Sequence, residues 1–126
     1  EYVELTGRDT DTNARVRSQG YHDVLDQLPD MKMVAQQTAN WSRDQAQTLM
    51  TNWLSTGTAF DGVIANNDEM AIGAIQAMKA ASIDMATVQV GGVDATQDAL
   101  AAMQAGDLDP HLDAQFGVKV GQGFVE

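Results

Sequence analysis

Four side chains in this sequence make up the inventory that recognition of a polyhydroxylated ligand requires. A sugar or polyol presents hydroxyls that both donate and accept, with apolar C–H patches on its ring or chain. Matching it takes a carboxylate to accept, a guanidinium to donate in a fixed fork, an amide to do both, and an aromatic face for the C–H patch. Asp94, Arg15, Asn67 and Trp41 supply these in turn. Each also has a plainer role open to it. Asp94 can be an N-cap, the common duty of an aspartate before a helix, and so can Asn67 or Asp68. Arg15 can be a solvated helix residue or a partner of Asp11. Trp41 can be the apolar residue before the Ser42 cap, stapled against Ala46. Taken singly, the plainer roles are favoured. What sets the four apart is a shared position in the chain's architecture.

That position follows from the elements between them. Strand-like runs at Tyr2–Leu5, Met31–Ala35, Val63–Ala65 and Val88–Val90 alternate with segments of helical periodicity. The clearest stripe is Ala46, Leu49, Met50, Trp53 and Leu54, at offsets of three and four, which places Trp53 in the core. Others are Tyr21, Val24, Leu25 and Leu28, ended by Pro29; Ala71, Ala74, Ile75 and Met78; and Ala99, Leu100 and Met103. Met50, Met78 and Met103 fit core positions. Ser42 with Gln45 forms a capping box, and Asp94 with Gln97 has the spacing of another. Gly57 and Gly106 stand where helices end in a left-handed residue. The order βαβαβαβα predicts an α/β, doubly wound, mainly parallel sheet with helices on both faces, in strand order 2-1-3-4. A short fifth strand in the tail would extend it to 2-1-3-4-5. Residues 1–126 form a single lobe, with 108–126 as an exit or hinge segment interrupted by Pro110. Ligands of open parallel sheets bind beyond the carboxyl ends of the strands. There the polar residues gather: Thr6 to Asp9 with Asn13 and Arg15, then Thr38 to Trp41, Asn66 to Glu69, and Gly91 to Asp94.

Composition narrows the function. The chain has 126 residues, 44% of them hydrophobic, which suits one globular domain. Seven basic residues against eighteen acidic ones give a net charge of −11, the wrong sign for a nucleic-acid footprint or an anionic membrane surface. Without cysteine there are no disulfides, thiolate nucleophiles or cysteine metal sites. No apolar run approaches the roughly 20 residues of a membrane span, and no basic segment leads into an apolar stretch at the start. His22 and His111 lie far apart without ligand-spaced partners, so no metal is expected. A phosphate loop and a Gly-x-Ser-x-Gly elbow are both missing, and Gly91-Gly92 is too short for a dinucleotide fingerprint. Neither an enzyme nor a cofactor is expected.

The same residues carry a resemblance. Ala14 to Tyr21, Ala39 to Arg43, Ile64 to Ala74 and Gly91 to Thr96 resemble type I periplasmic binding proteins, above all the ribose- and galactose-binding proteins of ABC importers. The third motif is the most specific, with eleven consecutive matching positions. The resemblance runs from Tyr2 to Gly106 and covers that family's C-terminal lobe; the N-terminal lobe would precede residue 1. It implies that Arg15 donates to sugar hydroxyls, Trp41 stacks on the sugar, Asn67 supplies the amide and Asp94 the carboxylate. Gln115 would match a polar residue at the end of the last lobe strand, given one inserted residue after Gly106. The implied protein is a periplasmic solute-binding component of a sugar importer. Its two lobes would close on a monosaccharide or polyol and be read by a membrane permease or a chemoreceptor. A second resemblance, to the effector domain of lactose-repressor-type regulators, would need a helix-turn-helix upstream. A receiver-like domain would need clustered acids after the first strand, where Thr6-Gly7 stands instead.

Overall fold

A computed structural model of the protein describes residues 1–108. In chain order the elements are β1 (Tyr2–Thr6), α1 (Thr12–Leu25), β2 (Met33–Thr38), α2 (Arg43–Ser55), β3 (Gly62–Ala65), α3 (Asp68–Ala80), β4 (Gln89–Gly91) and α4 (Gln97–Ala105), with a 3₁₀ turn at Met85–Thr87 before β4. The sheet is parallel throughout and ordered β2-β1-β3-β4, as the alternation of patterns predicts. Register places Val3 beside Ala35 on one side and Val63 on the other, and Val63 beside Val90. These residues therefore share one face of the sheet, since side chains aligned across parallel strands point the same way. With Leu5 and Ala65 they form the floor of the core, and α2 and α3 cover it through Ala46, Met50, Met70, Ala74 and Met78.

Helix α3 is the central buried helix, with nine of its thirteen residues withdrawn from solvent. It packs close to α2 because Gly73 has no side chain: a Cβ there would lie 2.2 Å from the carbonyl oxygen of Arg43. The Arg43 guanidinium meets Glu69 of α3 through two hydrogen bonds, at 3.1 and 2.7 Å, and Asp98 of α4 at 2.9 Å. That arrangement ties three helices together at their N-terminal ends, and it raises the arginine further above its ordinary pKa.

The other face of the sheet mixes Tyr2 and Ile64 with the polar Glu4 and Gln36, and it carries α1. Glu4, almost fully buried on the central strand, accepts hydrogen bonds at 2.9 Å from His22 of α1 and Gln36 of β2. Among the described residues its other carboxylate oxygen has no hydrogen-bond partner. Tyr21 donates to the carbonyl of Ala65 at 3.3 Å, and burial pushes its phenol far above the usual range. These polar contacts explain why the stripe Tyr21, Val24, Leu25, Leu28 predicts α1 imperfectly. The helix stops at Leu25, and Val24 and Leu28 are exposed.

Strand β2 differs from expectation for a related reason. It spans Met33–Thr38 rather than Met31–Ala35, because it is an edge strand paired on one side and exposed over most of its length. Its apolar residues therefore do not mark its limits. Trp53 is half-buried at the margin of the core rather than inside it, as is Met103, whereas Met50 and Met78 are fully enclosed. Gly57 and Gly106 do adopt the left-handed conformation at helix ends. The tail segment 109–126, and with it the fifth strand, lies outside the described residues, although Leu108 still closes the core.

Candidate functional site

The loops leaving the carboxyl ends of the four strands meet at one edge of the sheet, and buried polar groups hold them there. Asn66, fully buried at the end of β3, accepts from the backbone N–H of Gly7 at 3.0 Å and donates to Ser18 at 3.4 Å. Its carbonyl accepts from Arg17 at 2.7 Å. One asparagine thus links the ends of β1 and β3 to α1. Asp68, also fully buried, does the same for β4. Its carboxylate accepts from the Thr96 N–H at 2.8 Å and its N–H donates to Val93 at 2.9 Å. Gly92 makes room for it, since a Cβ there would approach that carboxylate to 2.5 Å.

On this frame stand Trp41, Asn67 and Asp94. Trp41 follows Asn40 with both residues at positive φ, 65° and 54°. Bulky side chains rarely occupy this region, and such strain is held at sites where the chain must aim a side chain. The turn lays the indole on Gly7, where a Cβ would sit 2.3 Å from the ring carbons. The indole N–H donates to Asp11 at 2.8 Å, and the Arg17 guanidinium stands 5.5 Å from the ring centroid, within cation–π range. Asp94 and Ala95 are likewise at positive φ, 118° and 56°. The Asp94 side chain is 41% exposed, and its carboxylate lies 3.6 Å from Arg17, an ion pair too long for a direct hydrogen bond. Partial burial raises its pKa, Arg17 opposes that rise, and the nearby Asp68 adds to it.

Two capping expectations resolve in opposite ways. Asn67 is the N-cap of α3 and accepts from the Met70 N–H at 3.0 Å, leaving its amide N–H₂ turned towards the Trp41 carbonyl at 3.5 Å. Asp94 does not cap α4. Thr96 does so, through the Ala99 N–H at 3.2 Å, so the aspartate is not spent on the helix. Ser42 caps α2 as expected, accepting from the Gln45 N–H at 3.2 Å. The box is not reciprocal: the Ser42 N–H donates to the Ala39 carbonyl, and the Gln45 side chain accepts from Asn40 instead.

Arg15 is placed elsewhere. It is exposed, whereas Arg17, two residues on, reaches the cluster with its side chain only 17% exposed. The reason is helical geometry. Ala14 and Tyr21 are the buried positions of α1, and Arg17 completes their i, i+3, i+7 row. Arg15 is turned about 100° from Ala14 on the same helix. The structure thus brings together Trp41, Asn67 and Asp94 with Arg17, and leaves Arg15 outside. Asp11, considered above as a partner of Arg15, serves Trp41. Gln115 lies outside the described residues. Arg17 was readable from the row it shares with Ala14 and Tyr21, whereas nothing in the local sequence distinguishes Asn66 as the residue that ties the loops. Among the described residues no cluster of metal-ligating side chains occurs, and no helix is long and apolar enough to cross a membrane.

Comparison with known proteins bears on what this edge is for. The family model for the periplasmic binding protein domain matches residues 1–122. A relative from Rhizobium meliloti, whose name assigns it to rhizopine binding, is 57% identical over 100 residues, covering 78% of this chain and 32% of the relative. A D-apiose import binding protein of Actinobacillus succinogenes is 50% identical over 101 residues, 79% of this chain and 33% of its own length. Among solved structures, the Caulobacter myo-inositol binding protein bound to myo-inositol superposes with a TM-score of 0.80 at 40% identity. That match covers 85% of this chain and 37% of the other. The chain therefore spans about a third of the length of the curated relatives it matches.

Proposed function

Because this chain belongs to the periplasmic binding protein domain family, we propose that it forms one lobe of the solute-binding component of an ABC-type importer, with a sugar or polyol held at the carboxyl edge of its sheet. The observation that carries this reading is the convergence of Arg17, Trp41 and Asp94 at that edge. The last two stand on backbone held at positive φ. Arg17 and Asp94 are close enough for one ligand hydroxyl to accept from the guanidinium while donating to the carboxylate. The exposed part of Trp41 covers C–H groups, and the Asn67 amide lies beside it. The relatives reported above are binding proteins rather than enzymes. Their names favour the transport reading over the effector domain of a transcription regulator, and they imply an extracytoplasmic or periplasmic location.

A second lobe completes the cleft in this account. An open half-site leaves every hydroxyl in competition with water and both charges screened. Closure of the two lobes would exclude that water, and the ligand would stabilise the closed form that a membrane permease reads. The present chain alone should bind sugars weakly, and a two-lobed form containing it tightly and selectively. Calorimetric titration against pentoses, hexoses and polyols tests this. In the two-lobed form Asp94→Ala should weaken the best ligand by about 1.5–3 kcal/mol, the scale of a hydrogen bond to a charged group. Ser42→Ala, which removes only a helix cap, should leave affinity unchanged. Unaltered affinity in Asp94→Ala would remove the carboxylate from the site.

A further inference from the structure

We infer that Asp11 is a positioning residue for the aromatic face of the site, holding the Trp41 ring in the one orientation that leaves it usable by a ligand. The inference rests on the function proposed above but is carried by a separate observation. Asp11 occupies the N-cap position of α1 in extended conformation, where an aspartate ordinarily accepts from the first turn of its helix. It does not do so here. Its carboxylate instead reaches across thirty residues of sequence to accept from the Trp41 indole N–H at 2.8 Å.

The ring needs such a hold. An indole on a left-handed backbone can swing about its side-chain torsions, and a flip about the second would exchange the edge that carries the N–H. Gly7 admits the ring without specifying its orientation, because a missing Cβ excludes nothing. Arg17, near the ring centroid, attracts either orientation of the π face. The hydrogen bond to Asp11 is directional and charge-assisted, and it selects one flip. It also joins the start of α1, the helix carrying Arg17, to the loop carrying Trp41, so the donor and the aromatic face move together. A phenylalanine at position 41 would have no use for Asp11.

The experiment compares the full chain with Asp11→Ala, Asp11→Asn, Trp41→Phe and the double variant Asp11→Ala/Trp41→Phe. The first readout needs no ligand. It is the indole N–H resonance of Trp41, told apart from that of Trp53 by its disappearance in Trp41→Phe. In Asp11→Ala this resonance should shift upfield, and its exchange with solvent should quicken by about tenfold, whereas Asp11→Asn, which keeps an acceptor oxygen, should restore most of both. The second readout is affinity for myo-inositol as probe. It should fall by about tenfold in Asp11→Ala and change less than about twofold when the same substitution is made on Trp41→Phe. An unchanged indole resonance in Asp11→Ala overturns the inference. So does an equal affinity loss with and without the indole, which would make Asp11 a ligand contact or a purely structural residue. Wild-type protein that binds no pentose, hexose or polyol would count against the proposed function, while the indole resonance would still decide the role of Asp11.

Discussion

Removing the guanidinium of Arg17 should cost the fold far more than removing that of Arg15, although the two differ by two positions on one exposed-looking helix. Arg17 donates to the buried end of β3 through the Asn66 carbonyl at 2.7 Å, a charge-assisted hydrogen bond worth about 1.5–3 kcal/mol. Its ion pair with Asp94 is long and its partner half-exposed, so that pair contributes no more than about 1 kcal/mol. The contact with Trp41 at 5.5 Å contributes about 0.5–1 kcal/mol. These contacts share one side chain and overlap, so Arg17→Ala should destabilise by about 2–3 kcal/mol in total. Arg15→Ala, on the solvent side, should stay within about 0.5 kcal/mol of the parent. Urea unfolding followed by circular dichroism measures both. Equal midpoints for the two variants would refute the helical phase on which the site rests.

The same reasoning extends to three other perturbations. Gly73→Ala should destabilise by at least about 1–3 kcal/mol, because its Cβ would meet the Arg43 backbone, which cannot swing aside as a side chain can. Gly20→Ala, also inside a helix but with nothing within 4 Å of the new Cβ, should instead stabilise by about 0.4–1 kcal/mol; thermal denaturation of the pair gives both signs. Burial lowers the pKa of His22, but its hydrogen bonds and charge interactions with Asp26 and Glu4 outweigh that effect and leave it above 6.5. A folded pKa above the unfolded one means that His22 adds stability fully below about pH 6.5 and loses it as pH rises through the folded value. The stability gap between parent and His22→Gln should therefore be wider in mild acid than in mild alkali, and a gap independent of pH would contradict the Glu4–His22–Asp26 arrangement.

How far the molecule could be read from its residues differed from element to element. Strands β1 and β3 and helices α2 and α3 announce themselves because most of their apolar residues, such as Val3, Leu5, Val63, Ala65, Met50 and Met78, face one core, so period and burial coincide. Strand β2 and helix α1 do not, since one is an edge and the other rests on polar contacts through Glu4, Tyr21 and Asn66. Hydrophobic periodicity says little where burial is polar. In the site, Trp41, Asn67 and Asp94 are legible because they sit at strand ends, whose position follows from the βα alternation. The motif resemblance points to Arg15, whereas the i, i+3, i+7 row through Ala14 and Tyr21 is the physical signal that carries Arg17 to the cluster. The service of Asp11 to Trp41 and of Thr96 as the cap of α4 depends on loop conformations at positive φ, which no local pattern encodes.

The central claim is the proposal that a sugar or polyol is held at the carboxyl edge of the sheet by Arg17, Trp41 and Asp94. Residue-resolved NMR of this chain titrated with myo-inositol tests it most directly, because such spectra register weak binding and locate it. The account predicts progressive, saturable shifts in the backbone amides of Gly7, Arg17, Asn67 and Asp94 and in the Trp41 indole N–H, with the opposite edge around Asp61 and Gln89 unmoved. Shifts confined to that opposite edge, or spectra unchanged up to the solubility limit of every sugar and polyol tried, would contradict it.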